Sequence, residues 1–263
     1  MNDVQKVIKY AAIVLSGVII IAIISLLFEV VSSFLPDSES NIKNFYEEYQ
    51  NIREIEIDSS YSKIIIQKGN KFSVDGSNIN KKFTSSVNNG VLKINENSKK
   101  LWNKNYDGVI TITVDDTVLN KLELEHGAGK LTIDGISANK FELEQGAGKV
   151  EISNVTFLNT SIDGGAGEIV IDSASLKNLD LDIGAGKATL QAYLEGNSDI
   201  DCGVGALDIN LLGSKEDYRI TVNKGIGSVN IDGIKQNDGS IFGNGINTIN
   251  LDGGIGSINV SFK

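Results

Sequence analysis

The chain has 263 residues, 41% of them apolar, and a formal net charge of −10. The two acidic and two basic residues before Pro36 cancel, so the whole negative excess lies downstream and disfavours nucleic acid and anionic lipid as partners. A single cysteine, Cys202, excludes an internal disulfide, and one histidine with one cysteine excludes a repeated metal site and a Cys/His dyad.

The first element in chain order is Ala11–Phe28, eighteen consecutive residues without a charge. With Tyr10 it gives about 28 Å of helix, close to the ~30 Å of a hydrocarbon core. The stretch is longer than the apolar core of a usual secretory signal, and Glu29 to Phe34 is a poor cleavage context. An uncleaved transmembrane helix over residues 10–31 is therefore expected. Lys6 and Lys9 precede it, while Glu29, Asp37 and Glu39 follow. That asymmetry keeps residues 1–9 in the cytoplasm and puts the rest outside, as a single-pass cell-membrane protein. Residues 32–50 are polar, hold the only proline, and read as a stalk with one helical turn at Asn44–Tyr49.

Residues 51–263 read as one elongated domain. Glu54–Gln67 (EIEIDSSYSKIIIQ) contains two alternating segments joined by Ser60-Tyr61-Ser62. Strand-like pieces follow at Lys71–Asp75, Val91–Asn95 and Val109–Val114, interrupted by the polar insert Ser77–Asn89; Trp102 reads as sealing an irregular coil.

A Gly-x-Gly pair then returns at intervals of 19 residues: Gly127/Gly129, Gly146/Gly148, Gly165/Gly167, Gly184/Gly186 and Gly203/Gly205. Gly225/Gly227 follows after 22, then Gly245-Ile246-Asn247 and Gly254/Gly256, which reads as a shortened closing coil. Five and three residues before each first glycine the side chains are mostly apolar, as at Leu122/Leu124 and Leu179/Leu181. Four and six residues after it they are apolar again, as at Leu131/Ile133 and Leu207/Ile209. The residue between the glycines is small or apolar: Ala128, Ala147, Ala166, Ala185, Val204. A strict short period means one unit stacked on itself. The glycines suit a sharp turn that needs positive φ or close backbone approach. The expected fold is all-β, a parallel β-solenoid of about eight coils, some 35–40 Å long at ~4.8 Å per coil.

GAGK at Gly127–Lys130, Gly146–Lys149 and Gly184–Lys187 is not a phosphate loop, because leucine stands where its first glycine is required and no Ser or Thr follows the lysine. A strand also follows each pair, where a dinucleotide site needs a helix N-terminus. Gly164–Asp172 and Gly253–Ser261 come close to a calcium-binding nonapeptide, yet Ile169 and Ile258 occupy the ligand aspartate's place.

An acidic ladder is the main candidate site. Two residues before each first glycine stand Glu125, Glu144, Asp163, Asp182 and Asp201; four before stand Glu123, Glu142, Ser161, Asp180 and Asp199. Stacking would set like carboxylates about 5 Å apart and the two columns about 7 Å apart. Such a stripe suits Ca²⁺ (candidate ligands Asp163, Asp180, Asp182, Asp199 and Asp201), a cationic partner, or a glycosidase-like carboxylate pair. The bland alternative is a solvated face paired across the corner with Lys130, Lys149 and Lys187, each pair giving at most about 1 kcal/mol. No cofactor and no catalytic residue is otherwise indicated; His126 sits at a variable position (Gln145, Gly164, Ile183 and Cys202 replace it).

Three segments carry a family resemblance: EIEIDSSYSKIIIQKGNKFSVDG, LELEHGAGKLTIDGI, and IDCGVGALDINLLGSKEDYRITVNKGIGSVNIDG. They resemble the bacterial putative-adhesin family of β-strand-repeat proteins, a domain of unknown function, over about Ile52–Lys263. The resemblance implies a membrane-anchored surface module with no catalytic or binding residues to transfer, and an extended partner such as a cell-wall or host-matrix component. Related proteins are associated with envelope-stress systems, which makes a signalling role the rival expectation. A carbohydrate-active enzyme on a β-helix is the remote one.

Overall fold

The computed structural model describes residues 42–96 and 107–263, and the account below is confined to them. The expected membrane span at 10–31 and Trp102 lie outside the described residues. Among those described, no helix is long and apolar enough to cross a membrane.

Strands dominate. The first seven are short: β1 (Ile42–Tyr49), β2 (Glu54–Ser59), β3 (Lys63–Lys68), β4 (Phe72–Asn80), β5 (Thr84–Asn88), β6 (Val91–Glu96) and β7 (Val109–Val114). The repeat then supplies β8 (Leu119–Asp134), β9 (Ser137–Ser153), the two-residue β10 (Thr156–Phe157), β11 (Thr160–Lys177), β12 (Leu179–Glu195) and β13 (Asn197–Leu211). At the C-terminal end lie β14 (Tyr218–Ile231), β15 (Ile234–Lys235), β16 (Ile241–Phe242) and β17 (Asn247–Phe262). Each long strand runs unbroken through its Gly-x-Gly, so every coil has two arms meeting at a corner.

From β8 to β13 the stack is parallel, with each corner residue opposite its counterpart 19 positions on: Gly129 with Gly148, Gly148 with Gly167, Gly167 with Gly186, Gly186 with Gly205; only past Ile171 does the register slip, setting Ala174 opposite Ala192. β2 and β3 lie against the two arms of β8, pairing Ile57 with Leu124 and Ile66 with Ile133. The 14-residue frame at 54–67 is thus one coil, as its alternation indicates.

The inward columns fall where period-2 alternation puts them. Leu122, Phe141, Leu179, Leu131, Val150 and Leu207 are all buried. Burying one such side chain is worth about 1.5–3 kcal/mol, and vertical stacking repeats the gain on every coil. Phe141 and Phe157 stack at 4.5 Å where the third, shorter face closes the coil.

Both ends depart from simple stacking. Residues expected as a helical turn in the stalk form β1, antiparallel to β4, which is itself antiparallel to β7. Alternating Phe45, Glu47 and Tyr49 suit one half-covered face, and Phe45 packs on Phe83 at 5.0 Å. The polar insert 77–89 is largely strand: it ends β4 and supplies β5, which caps β6 antiparallel. Such strands cover edges that would otherwise recruit another chain.

The C-terminal order corrects the sequence expectation. β17 is a full coil and not a shortened one, and it does not close the stack. It lies between β13 and β14, pairing Gly256 with both Gly205 and Gly227. The chain leaves β13, passes one level by to form β14, doubles back through β15 and β16 as a cap, and returns to fill the gap. Gly245 consequently marks no corner; it leads into β17 through Ile246, which is almost fully exposed.

Candidate functional site

The corner fixes the site because it fixes which side chains face outward. At Gly165 an added Cβ would sit 2.4 Å from the Gly146 carbonyl oxygen. At Gly167 it would sit 1.9 Å from the Gly148 carbonyl, and φ is +145°. The first glycine of a pair thus answers close approach alone, while the second answers close approach and a left-handed backbone. With both excluded from carrying side chains, the residues just before the corner form an unobstructed outer flank.

That flank is acidic from β2 to β17, with Asn95 and Asn223 on the levels beyond. Two residues before the corner, Asp58, Glu125, Glu144, Asp163, Asp182, Asp201 and Asp252 lie in register on successive levels. Four residues before it run Glu56, Glu123, Glu142, Ser161, Asp180 and Asp199. All five candidate ligands therefore belong to one surface. Asp58, Glu56 and Asp252 extend it; their offsets before Ser60 and Gly254 already carried that signal.

Lysines divide the surface into unequal halves. Lys121 bridges Glu123 (2.8 Å) and Glu142 (2.7 Å), Lys140 reaches Glu142 (2.6 Å), and Lys93 reaches Glu56 (2.5 Å). Hydrogen bonds from Lys121 and then Lys140 hold the Glu142 carboxyl below the usual range. Lys130, Lys149 and Lys187 do not pair with the ladder, contrary to expectation. They turn to the strand beyond the corner: Lys130 and Lys149 to Glu151 (2.7 and 3.1 Å), Lys149 to Glu168 (3.0 Å), Lys187 to Asp208 (3.8 Å). The corner separates the two flanks, and a cross-strand acid is nearer than one around the bend.

Among the described residues no ion pair reaches Asp180, Asp182, Asp199, Asp201 or Asp252. Partial burial and then the charges of Asp252, Asp182, Asp180 and Asp199 push the Asp201 carboxyl up. This half of the ladder is a field of mutually repelling acids, and Asp199 accepts a neutral hydrogen bond from the Asn250 amide (2.7 Å). Also among the described residues, no three His, Cys, Asp or Glu side chains converge closely enough to hold a metal ion.

One column was missed. The residue immediately before the corner faces inward: His126 is 1% exposed, and Gln145, Ile183 and Cys202 are buried beside it. His126 Nε2 meets the Ser62 carbonyl at 2.9 Å, which can only accept, so Nε2 carries a proton. Nδ1 meets Gln145 Oε1 at 2.8 Å, and the Gln145 amide donates to the Ala147 carbonyl at 2.6 Å. On the neighbouring level the Ser59 and Ser62 hydroxyls donate to buried Glu96. Varied residue types hid this column, yet the alternation −5, −3, −1 pointed to it. A shallow recess of about 420 Å³ opens over His126 and Gln145, rimmed by Asp58, Glu125, Glu144 and Asp163.

The sequence profile of the Toastrack DUF4097 family matches residues 52–243. No curated protein matches. Among solved structures, the chain is similar to a "putative cell adhesion protein" from Clostridium sporogenes (16% identity, TM-score 0.34, covering 84% of this chain and 100% of that one). It is also similar to a "putative adhesin" from Bacteroides fragilis (14%, 0.44, 85% and 100%). A third is a "putative lipid binding protein" from Parabacteroides distasonis (18%, 0.41, 86% and 98%).

Proposed function

The chain belongs to the Toastrack DUF4097 family, and from that premise we propose that it is a non-enzymatic surface-binding module acting in adhesion. In this reading one N-terminal helix anchors it in the cell membrane, with the N-terminus cytoplasmic. A rod of about eight coils then stands outside and presents its acidic face to an extended cell-wall or host-matrix partner. One observation carries the reading: Asp180, Asp182, Asp199, Asp201 and Asp252 form an outward face that no cation of the described chain neutralises. A folded chain gains nothing from stacking like charges, so their relief is assigned to a partner. A flat stacked surface also suits long ligands better than small ones.

The test is a binding isotherm of the full-length chain, in mild detergent, on immobilised host matrix and on the cell wall of the source organism, with and without calcium. Saturable binding that weakens when Asp180, Asp182, Asp199 and Asp201 become asparagine supports the reading. Loss on chelation assigns calcium to the ladder. Unchanged affinity in the asparagine variant, or binding to neither material, refutes it and favours the envelope-stress role.

A further inference from the structure

The residues between the paired glycines form a second ladder, on the crest of the corner. They are small or apolar, as the inward columns are, yet they face solvent. Ala128, Ala147, Ala166 and Ala185 hold the first levels, and the crest then becomes bulkier through Val204, Ile255 and Ile226. These three are 37%, 42% and 53% exposed, on consecutive levels, with a glycine on either side of each. Nothing shields them. Three branched apolar side chains in contiguous array are more than scattered surface hydrophobes, and such patches mark contact sites.

The two flanks of this crest differ. Before the corner stand Asp182, Asp201 and Asp252, with no ion pair among the described residues. Asp201 and Asp252 share levels with Val204 and Ile255, Asp182 lies one level before them, and Asn223 stands on the level of Ile226. Beyond the corner, on the three crest levels, stand the uncharged Ala206, Ser257 and Ser228. An apolar crest with acid along one side only asks for a partner that is apolar with base along one side only.

Spacing decides the partner's conformation. Successive crest residues rise about 4.8 Å, whereas same-face side chains of a strand repeat at about 6.8 Å. A helix presents one apolar residue per turn at about 5.4 Å, so its stripe stays in step over three levels. A protruding crest also fits the groove between side-chain rows of a helix. Strand addition is further disfavoured because the outer edge of β14 is already paired on both arms. β16 takes Ile220 and Thr221, β15 takes Asn230 and Ile231, and the Ser240 and Gly239 backbone takes Val222. A second copy would bring the same acids face to face, and an anionic bilayer would be repelled likewise.

We propose that the crest Val204–Ile255–Ile226, with the flanking column Asp182–Asp201–Asp252, docks a basic amphipathic helix of a protein partner. This deepens the surface-binding reading and rests on it. The probe is an end-capped synthetic helix of about 14 residues, with leucine on one stripe and lysine along one flank. Its binding to the full-length chain in mild detergent is followed by fluorescence anisotropy. The expected result is saturable binding that weakens at least about tenfold in the triple variant Val204→Ser/Ile255→Ser/Ile226→Ser, and similarly in Asp182→Asn/Asp201→Asn/Asp252→Asn. The salt dependence should flatten only in the second. Ile226→Ser alone, on the outermost level and half exposed, guards against misfolding and should give a smaller loss at an unchanged melting temperature. Equal affinity for wild type and the triple serine variant, or for a peptide with glutamate in place of lysine, overturns the proposal. So does self-association in sedimentation velocity, or binding to phosphatidylcholine or phosphatidylglycerol vesicles, if either is abolished by the serine changes. Matrix or wall binding that survives the serine changes while the peptide fails removes this inference and leaves the broader reading standing.

Discussion

At Gly165 the room for a side chain is already occupied, by the Gly146 carbonyl 2.4 Å from where its Cβ would be. Gly165→Val must therefore push two coils apart and break ladder hydrogen bonds on both sides. It is expected to lose more than about 3 kcal/mol, read as the shift in a urea unfolding midpoint. His126→Leu is a subtler case, because it keeps the volume and removes the ring's hydrogen bonds. The variant breaks the contacts of the ring with the Ser62 carbonyl and with Gln145 inside the core, at about 1–3 kcal/mol, and the same unfolding assay should show it. Asp201 works in the opposite sense. Its carboxyl is raised in the fold, so over the pH window just above the ordinary aspartate value the folded chain holds more proton than the unfolded one. Stability consequently falls as pH rises through that window and stays lower at neutral pH. Asp201→Asn should melt higher than wild type at pH 7, by less than about 1 kcal/mol after solvent screening, and no higher below about pH 3. A lower melting temperature at pH 7 would show the acids there to be partnered and not opposed.

Among the elements, β17 has the most consequential position. It pairs on one side with β13 and on the other with β14, so the last strand in sequence is an interior strand of the stack. Asp208 faces Asn259, and Asn259 faces Asn230; Asp208 and Asn230 are two levels apart, about 10 Å. With cysteines at Asp208 and Asn259, oxidation should close a disulfide, while cysteines at Asp208 and Asn230 should stay reduced. The reverse outcome would restore a sequential stack. Ile200→Asp tests the inward frame of the same region. Ile200 is fully buried between Leu181 and Leu251, so a charge there has no partner and the coil should unfold.

The described domain, residues 42–263 apart from 97–106, is a stack with two chemically distinct lengths of surface. Toward its N-terminal end lysines pair with Glu56, Glu123 and Glu142, in the column four residues before the corner, and toward the C-terminal end no ion pair among the described residues reaches Asp180 or Asp199 of that column. The apolar crest grows bulky over that same unneutralised half. Charge and apolar surface thus coincide at one end of the stack. Any cationic partner should accordingly bind less tightly as salt rises, with a slope that diminishes in the variant carrying asparagine at 180, 182, 199 and 201.

The sequence alone determined the coil. The 19-residue return of Gly-x-Gly, the alternation on either side of it and the acid at offset −2 are local properties, and a stack of identical units maps them straight into vertical columns. The resemblance carried by those segments led to the right family. Tertiary structure decided what is not periodic. The order β13, β17, β14 depends on which strand best fills a gap between two others, and Gly225 and Gly254 carry the same corner signal whichever comes last. Whether residues 42–49 stand free or cap an edge depends on the antiparallel partner β4 supplies. Which acids a lysine meets depends on the bend of the corner, and linear spacing does not record it. The outward face of Ala185, Val204 and Ile255 was undecided for the same reason: alternation stops at a glycine bend, and only the folded corner shows which way the crest points.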